Sequence, residues 1–338
     1  MTESTGLGVA LVLAGGIVHG SFALPMKRIQ KWQWENIWLV YSVAGLIVLP
    51  LALALATVPR LFDVYAANTA GTLAVVALCG FGWGLGSTLF GLAISRIGMA
   101  LGFAIILGIT SSLGSLLPLL VHHPEQLTTA KGHTLLAGLA IAIVGIAMCS
   151  AAGGMRERDL NPGAGAAAGR RMLSGLLLCV ASGVLSPALN FGFEFGTPLR
   201  ETAVAFGASE TLATNTIWVL ALGAGFLPNA GYSVLLLNRN RTWGLYGGGA
   251  PPLYWLGAAV MGLLWYGGIS TYGMGGAALG KLGAVVGWPI FMAMVILTAN
   301  AWGALTGEWR GASGRARAYS WAGVAILIAA IYVISTGA

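Results

Sequence analysis

The sequence predicts an all-α integral membrane protein, with ten transmembrane helices arranged as two inverted five-helix repeats. Three observations predict it. Of the 338 residues 57% are hydrophobic and only 8% are charged, where a soluble domain carries roughly 25% charge. Ten apolar stretches come close to the roughly 20 residues that cross a bilayer core of about 30 Å. A Trp/Gly pattern in the third stretch also recurs in the eighth. The 52 glycines keep no three-residue period, which excludes collagen, and the hydrophobicity excludes disorder. They suit membrane helices whose backbones approach closely.

The first span, about 6–24, follows Met1-Thr2-Glu3-Ser4-Thr5. That stretch lacks the basic residue of a cleavable signal peptide, so the span is expected to be retained. The second covers about 36–58. The third (70–94) and fourth (98–121) are joined so tightly that they form a helical hairpin, as do the eighth (251–272) and ninth (282–306). The fifth covers 134–152 and the sixth 172–195. The seventh, 209–237, is long enough to tilt or break near Pro228. The tenth covers 320–337. None alternates as a barrel strand does.

All 17 Lys and Arg residues fall in the loops: 13 in odd-numbered loops and four (Arg60, Lys131, Arg200, Lys281) in even-numbered ones. The positive-inside rule places the odd loops in the cytoplasm and both termini outside. The net charge of +7 therefore reads as a topology signal and not as a nucleic-acid footprint. Loop five contains the run Gly163 to Gly169 and reads as a linker, 153–171, between halves 1–152 and 172–338.

Trp83-x-x-Gly86-x4-Gly91-x6-Gly98 recurs without a gap as Trp265-x-x-Gly268-x4-Gly273-x6-Gly280. A weaker echo links Ala14-Gly15-Gly16-Ile17-Val18 to Ala181-Ser182-Gly183-Val184-Leu185. Five spans per repeat is an odd number, so the second copy inserts upside down. Two such halves meeting at the bilayer midplane form the architecture of secondary transporters.

The segment Lys27-Arg28-x-x-Lys31-Trp32-x-Trp34-Glu35-x-x-Trp38 resembles the first cytoplasmic loop of the L-rhamnose–proton symporter family, a branch of the drug/metabolite transporter superfamily. Further similarity lies in Leu49-Pro50, Trp83-Gly84-x-Gly86, Gly98-Met99-x-x-Gly102, Gly108-Ile109 and Glu308-Trp309. The resemblance implies ten helices in inverted repeats, a central cavity, a bacterial-type inner membrane and proton-driven uptake of a deoxyhexose such as L-rhamnose. The alternative keeps the fold and moves a small cationic or amino-acid metabolite. The sequence departs from the pattern at Gly280 to Pro289, mostly glycine and apolar here, and at Glu194, where the family's enteric members carry an uncharged amide.

Glu194, in Asn190-Phe191-Gly192-Phe193-Glu194-Phe195, is the one acidic residue placed inside a span. It is either a poorly solvated carboxylate able to exchange protons, or a group leaning outward to water. His19, a little past the middle of the first span, suits coupling or sugar binding, unless it is a neutral ring tied to a backbone carbonyl. Glu210 is the reserve proton-handling candidate. Sugars are held by aromatic faces and a few fixed polar partners. Trp83, Trp265, Trp288, Tyr266 and Tyr272 supply faces, while Asn190, Asn215, Ser270, Thr271 and Asn300 supply edges. Trp32, Trp34, Trp38, Trp309 and Trp321 read as interface anchors. Thr110, Ser111, Ser112 and Ser115 bond more often to the preceding turn or to a neighbouring helix than to a substrate. Glu35 reads as a salt-bridge partner of Lys31 or Arg28, and Glu308 as similarly structural.

Cys79, Cys149 and Cys179 show no metal or disulfide spacing. The glycines of Gly80 to Gly86 lie within a span and bind no nucleotide, and no Walker lysine, HExxH or GxSxG motif occurs. His122-His123-Pro124-Glu125 reads as an external turn, so an enzyme is not indicated. The expected partners are a sugar, protons and membrane lipid, with no cofactor, no metal and no nucleic acid; monomer and dimer stay open.

Overall fold

Turns and prolines set the helix ends in the computed structural model, which describes residues 3–97, 99–122, 124–160, 170–247, 251–307 and 309–336. Gly98, His123, Glu308 and most of the expected linker (161–169) lie outside the described residues. Helix α1 spans Glu3–Gly20. The second span comprises α2 (Trp34–Ser42), a π-helical stretch (Val43–Val48) and α3 (Leu49–Thr57). Pro50 has no N–H for the carbonyl one turn back, and the wider register ends beside it. The short α4 (Leu61–Ala67) leads to the hairpin of α5 (Ala70–Ile97) and α6 (Met99–His122), followed by α7 (Ala130–Leu160).

The sixth span divides at Ser186-Pro187 into α8 (Arg170–Leu185) and α9 (Ala188–Phe195), with the short α10 (Thr197–Ala205) behind it. Helix α11 (Asn215–Asn240) runs through Pro228 without the break that is one of the two outcomes expected there. There Asn229 Nδ2 donates to the Gly225 carbonyl at 2.9 Å and supports the turn. Helix α12 (Pro252–Ala278) opens on a proline, the residue best suited to a first helical turn. Gly280, at φ +72°, makes the hairpin to α13 (Gly283–Leu305), and α14 is Gly314–Thr336.

Among the described residues there is no strand, and nine helical stretches are long and apolar enough to cross a membrane by length and composition. Expected spans 1–3 and 5–10 fall on these stretches. The fourth falls on α6, whose apolar stretch Ile105–Val121 is shorter.

Glycine contacts set how the helices cross. Gly45 of the π stretch lies against Gly262 of α12, and Gly80 of α5 lies against Ala221 of α11. Gly15 of α1 meets the Gly268 carbonyl of α12, while Ser182 Oγ of α8 donates to the Gly86 carbonyl of α5 at 2.8 Å. Helix α6 packs on α13, and α7 on α14.

Odd-numbered loops bond one another on one face. Trp32 Nε1 donates to the Leu245 carbonyl at 3.0 Å, Lys27 Nζ to Thr306 Oγ1 at 2.8 Å, and Ser313 N to Asp159 Oδ2 at 2.8 Å. Buried Glu35 belongs to this set. Its Oε1 accepts from Asn240 Nδ2 and Thr242 Oγ1, both at 2.9 Å, in place of the expected pairing with Lys31 or Arg28. On the other face, even-numbered loops meet where Asn68 Nδ2 donates to Thr202 Oγ1 at 3.0 Å.

Candidate functional site

A cavity of about 520 Å³ lies between helices of both halves of the sequence. Its wall takes His19, Phe22 and Ala23 from the end of the first span, Trp38 and Tyr41 from α2, and Trp83, Ser87 and Phe90 from α5. From the second half come Ser186, Leu189 of α9, Trp265 and Ile269 of α12, and Trp288, Phe291 and Asn300 of α13. Gly153, Arg156, Gly303 and Trp309 carry the wall to the odd-loop face.

Five of the sequence-predicted site residues meet on this wall: His19, Trp83, Trp265, Trp288 and Asn300. The rings of Trp83 and Trp265 are in contact, with centroids 5.1 Å apart. His19 sits between Trp265 and Phe291, each 5.1 Å from it by centroid. Its Nδ1 lies 3.1 Å from the Trp265 carbonyl. A carbonyl only accepts, so Nδ1 carries a proton, which leaves Nε2 as the ring atom that can gain or lose one. The backbone bond expected of a structural histidine is thus present on a ring that also lines the cavity.

Other predicted residues lie beyond the cavity, toward the even-loop face. Asn215 Oδ1 accepts from Tyr266 Oη and Ser270 Oγ, both at 3.1 Å, while its Nδ2 donates to Thr57 Oγ1 at 3.1 Å. Asn190 Oδ1 accepts from Tyr272 Oη, and its Nδ2 donates to the carbonyls of Gly114 (2.8 Å) and Ala284 (3.2 Å). Phe193 stacks on Trp218 at 5.5 Å. These groups form a closed, buried layer in which the amides of Asn190 and Asn215 are hydrogen-bonded, while the buried Trp218 Nε1 has no partner. Glu194 is half-buried at the end of α9, off the cavity wall. Glu210 is exposed ahead of α11, away from the cavity. Thr271 Oγ1 bonds the Gly267 carbonyl, and Ser112 Oγ bonds that of Gly108 at 2.7 Å.

The sequence reading missed several wall residues. Trp38 and Trp309, read as interface anchors, line the cavity, and Trp32 is buried against Tyr246 and Tyr254. Trp321, 68% exposed, fits the anchor reading. Tyr41, Phe291, Cys149 and Arg156 gave no signal, because an aromatic, a thiol or a loop-flanking cation looks alike on either side of a helix. Ser186 had one: the weaker echo makes it the counterpart of His19. Among the described residues no group of three or more His, Cys, Asp or Glu stands close enough to hold a metal.

A family model described as L-rhamnose-proton symport protein (RhaT) matches residues 1–338. A Cronobacter sakazakii protein named L-rhamnose-proton symporter is 29% identical over 344 residues, covering 100% of this chain and 99% of the relative. Proteins of the same name from Shigella boydii serotype 18 and Escherichia coli strain 55989 are each 27% identical, with the same coverage. A match along the whole chain, on an all-helical fold with a central cavity, makes this chain a member of the L-rhamnose-proton symport protein family, multi-pass membrane transporters and not enzymes.

Proposed function

We propose that this chain is a secondary active transporter that imports a small sugar, a deoxyhexose such as L-rhamnose, together with protons. The cavity carries this reading. Its volume of about 520 Å³ falls in the range of small-molecule sites, roughly 300–1,000 Å³. Aromatic faces suit the C–H surface and methyl group of a deoxyhexose, and His19, Ser87, Thr110 and Ser186 suit its hydroxyls. Family membership and the relatives' name support the same cargo.

The proposed architecture is ten transmembrane helices in two inverted repeats, 1–152 and 172–338, joined by the linker 153–171, as in the drug/metabolite transporter superfamily. Helix α6 supplies the tenth span with 24 residues, about 36 Å at 1.5 Å per residue. Helix partnerships support the repeat, because exchanging the halves maps α1–α12 onto α8–α5, α1–α13 onto α8–α6, and α6–α7 onto α13–α14. The pairs α7–α14, α6–α13 and α2–α11 map onto themselves. With the odd loops in the cytoplasm of a bacterial-type inner membrane and both termini outside, the cavity opens inward.

In this conformation His19, Trp83, Trp265 and Trp288 hold the sugar, while Asn190, Asn215, Tyr266 and Ser270 build the closed outer layer. His19 is the coupling candidate that reaches the cavity. Glu194, beside the outer layer, is the second, and Glu210 the third. The amine reading relied on Glu194 as counter-charge, but the wall carries the cation Arg156 and, among the described residues, no carboxylate.

Uptake of labelled L-rhamnose into proteoliposomes, with and without an imposed pH gradient, tests the proposal. Faster uptake under the gradient is expected. Equal initial rates remove the proton coupling, and no uptake of any deoxyhexose removes the cargo.

A further inference from the structure

The inner and outer ends of the cavity are related by the sequence echoes. The echo that pairs Ala14 with Ala181 carries Ala23 onto Asn190, and the one that pairs Trp83 with Trp265 carries Phe90 onto Tyr272. Ala23 and Phe90 both line the open cavity. Their counterparts are fully buried and hydrogen-bonded to each other, Tyr272 Oη donating to Asn190 Oδ1. Through its Nδ2, Asn190 also binds the carbonyls of Gly114 and Ala284. One amide therefore ties α9 to α12, α6 and α13, helices from both halves. Tyr272 packs further against Phe193, Trp288 and Phe291.

We propose that the Asn190–Tyr272 pair is the gate sealing the even-loop face, and that its release opens a second path to the same cavity. The inference rests on the inverted-repeat reading above. In alternating access each half adopts the conformation the other holds now. The exchange moves Asn190 and Tyr272 to the situation of Ala23 and Phe90, on the wall of a cavity open to the even-loop side. All three bonds of the Asn190 amide stand in the way of that change, since they join the elements that separate. Asn190 and Tyr272 are positioning residues: they set the populations of the two conformers without lining the present cavity.

Native Cys149 lines the cavity and reports the odd-loop path. In a Cys79→Ala, Cys179→Ala background, its rate of modification by a membrane-impermeant maleimide is measured from the odd-loop side, in vesicles of known sidedness. In a second background that also carries Cys149→Ala, Ala284→Cys reports the even-loop path, because Ala284 is buried at the gate. Tyr272→Phe, which keeps the ring and removes one donor, is expected to speed modification of Ala284→Cys from the even-loop side about fivefold, as for the loss of one ordinary hydrogen bond. Cys149 modification slows only by the fraction of protein that leaves the odd-loop-open conformer. Asn190→Ala shifts both further. Unchanged rates with Tyr272→Phe overturn the gate, and so does slower labelling at Cys149 without faster labelling at Ala284→Cys. The readout needs no sugar transport, so a protein that fails the rhamnose uptake assay still tests the gate.

Discussion

The indole rings of Trp83 and Trp265 meet at the head of the cavity, with centroids 5.1 Å apart and planes 36° to one another. They occupy equivalent places in the two copies of the Trp/Gly pattern. Each helix brings its Trp inward because glycines on the same helix let it press close to a neighbour: Gly80 against Ala221 for α5, and Gly262 against Gly45 for α12. The Trp265 carbonyl also holds His19 at 3.1 Å, so the aromatic platform and this imidazole on the cavity wall share a fixed geometry.

Trp265→Ala removes one face of that platform and leaves a void beside His19. The concentration giving half-maximal sugar uptake is expected to rise about tenfold, the loss of roughly 1.4 kcal/mol of aromatic contact. Trp265→Phe is expected to lose less. Concentration-dependent uptake in proteoliposomes measures both, and an unchanged value for Trp265→Ala removes the platform from sugar binding.

His19→Gln keeps an amide donor for the Trp265 carbonyl but cannot take up a proton. Uptake driven by a sugar gradient is expected to persist, while the acceleration by an imposed pH gradient disappears. If that acceleration survives, the coupling role moves to Glu194, and the same assay on Glu194→Gln decides it.

Gly268→Ala is expected to destabilise the protein by about 1–3 kcal/mol, as overpacking does at close contacts. A Cβ at Gly268 falls 2.5 Å from His19 Cβ and 2.8 Å from the Gly15 carbonyl, where α1 crosses α12. Gly108→Ala is the control, since nothing lies within 4 Å of its added carbon. Thermal unfolding in detergent distinguishes them: a lowered midpoint for Gly268→Ala alone is the expected result.

Cys149 is expected to be protected from maleimide by L-rhamnose, because sugar and reagent share the cavity it lines. Protection should follow sugar concentration and need about tenfold more sugar in Trp265→Ala. Equal labelling with and without saturating sugar would place the binding site elsewhere.

The spans were legible because hydrocarbon admits only long apolar helices. The expected 70–94 and 282–306 match α5 (Ala70–Ile97) and α13 (Gly283–Leu305) within a few residues. The division of the sixth span at Pro187 and the short helices α4 and α10 were not legible, because hydropathy does not register a local change in helix direction. The central tryptophans were legible through their repetition. Trp38 and Trp309 were not, since an aromatic residue near a span end looks the same whether it meets headgroups or a cavity.

What the sequence determined by itself was the membrane class, the positions of the spans and the family, all of which follow from residue type and order. Only the tertiary structure decided which side of each helix meets the cavity. In lipid the outer surface of a helix bundle is as apolar as its interior, so no polar stripe marks the inward face. His19 and Asn190 illustrate this: each is a polar residue in an apolar run, yet one lines the cavity and the other is locked in the layer that closes it.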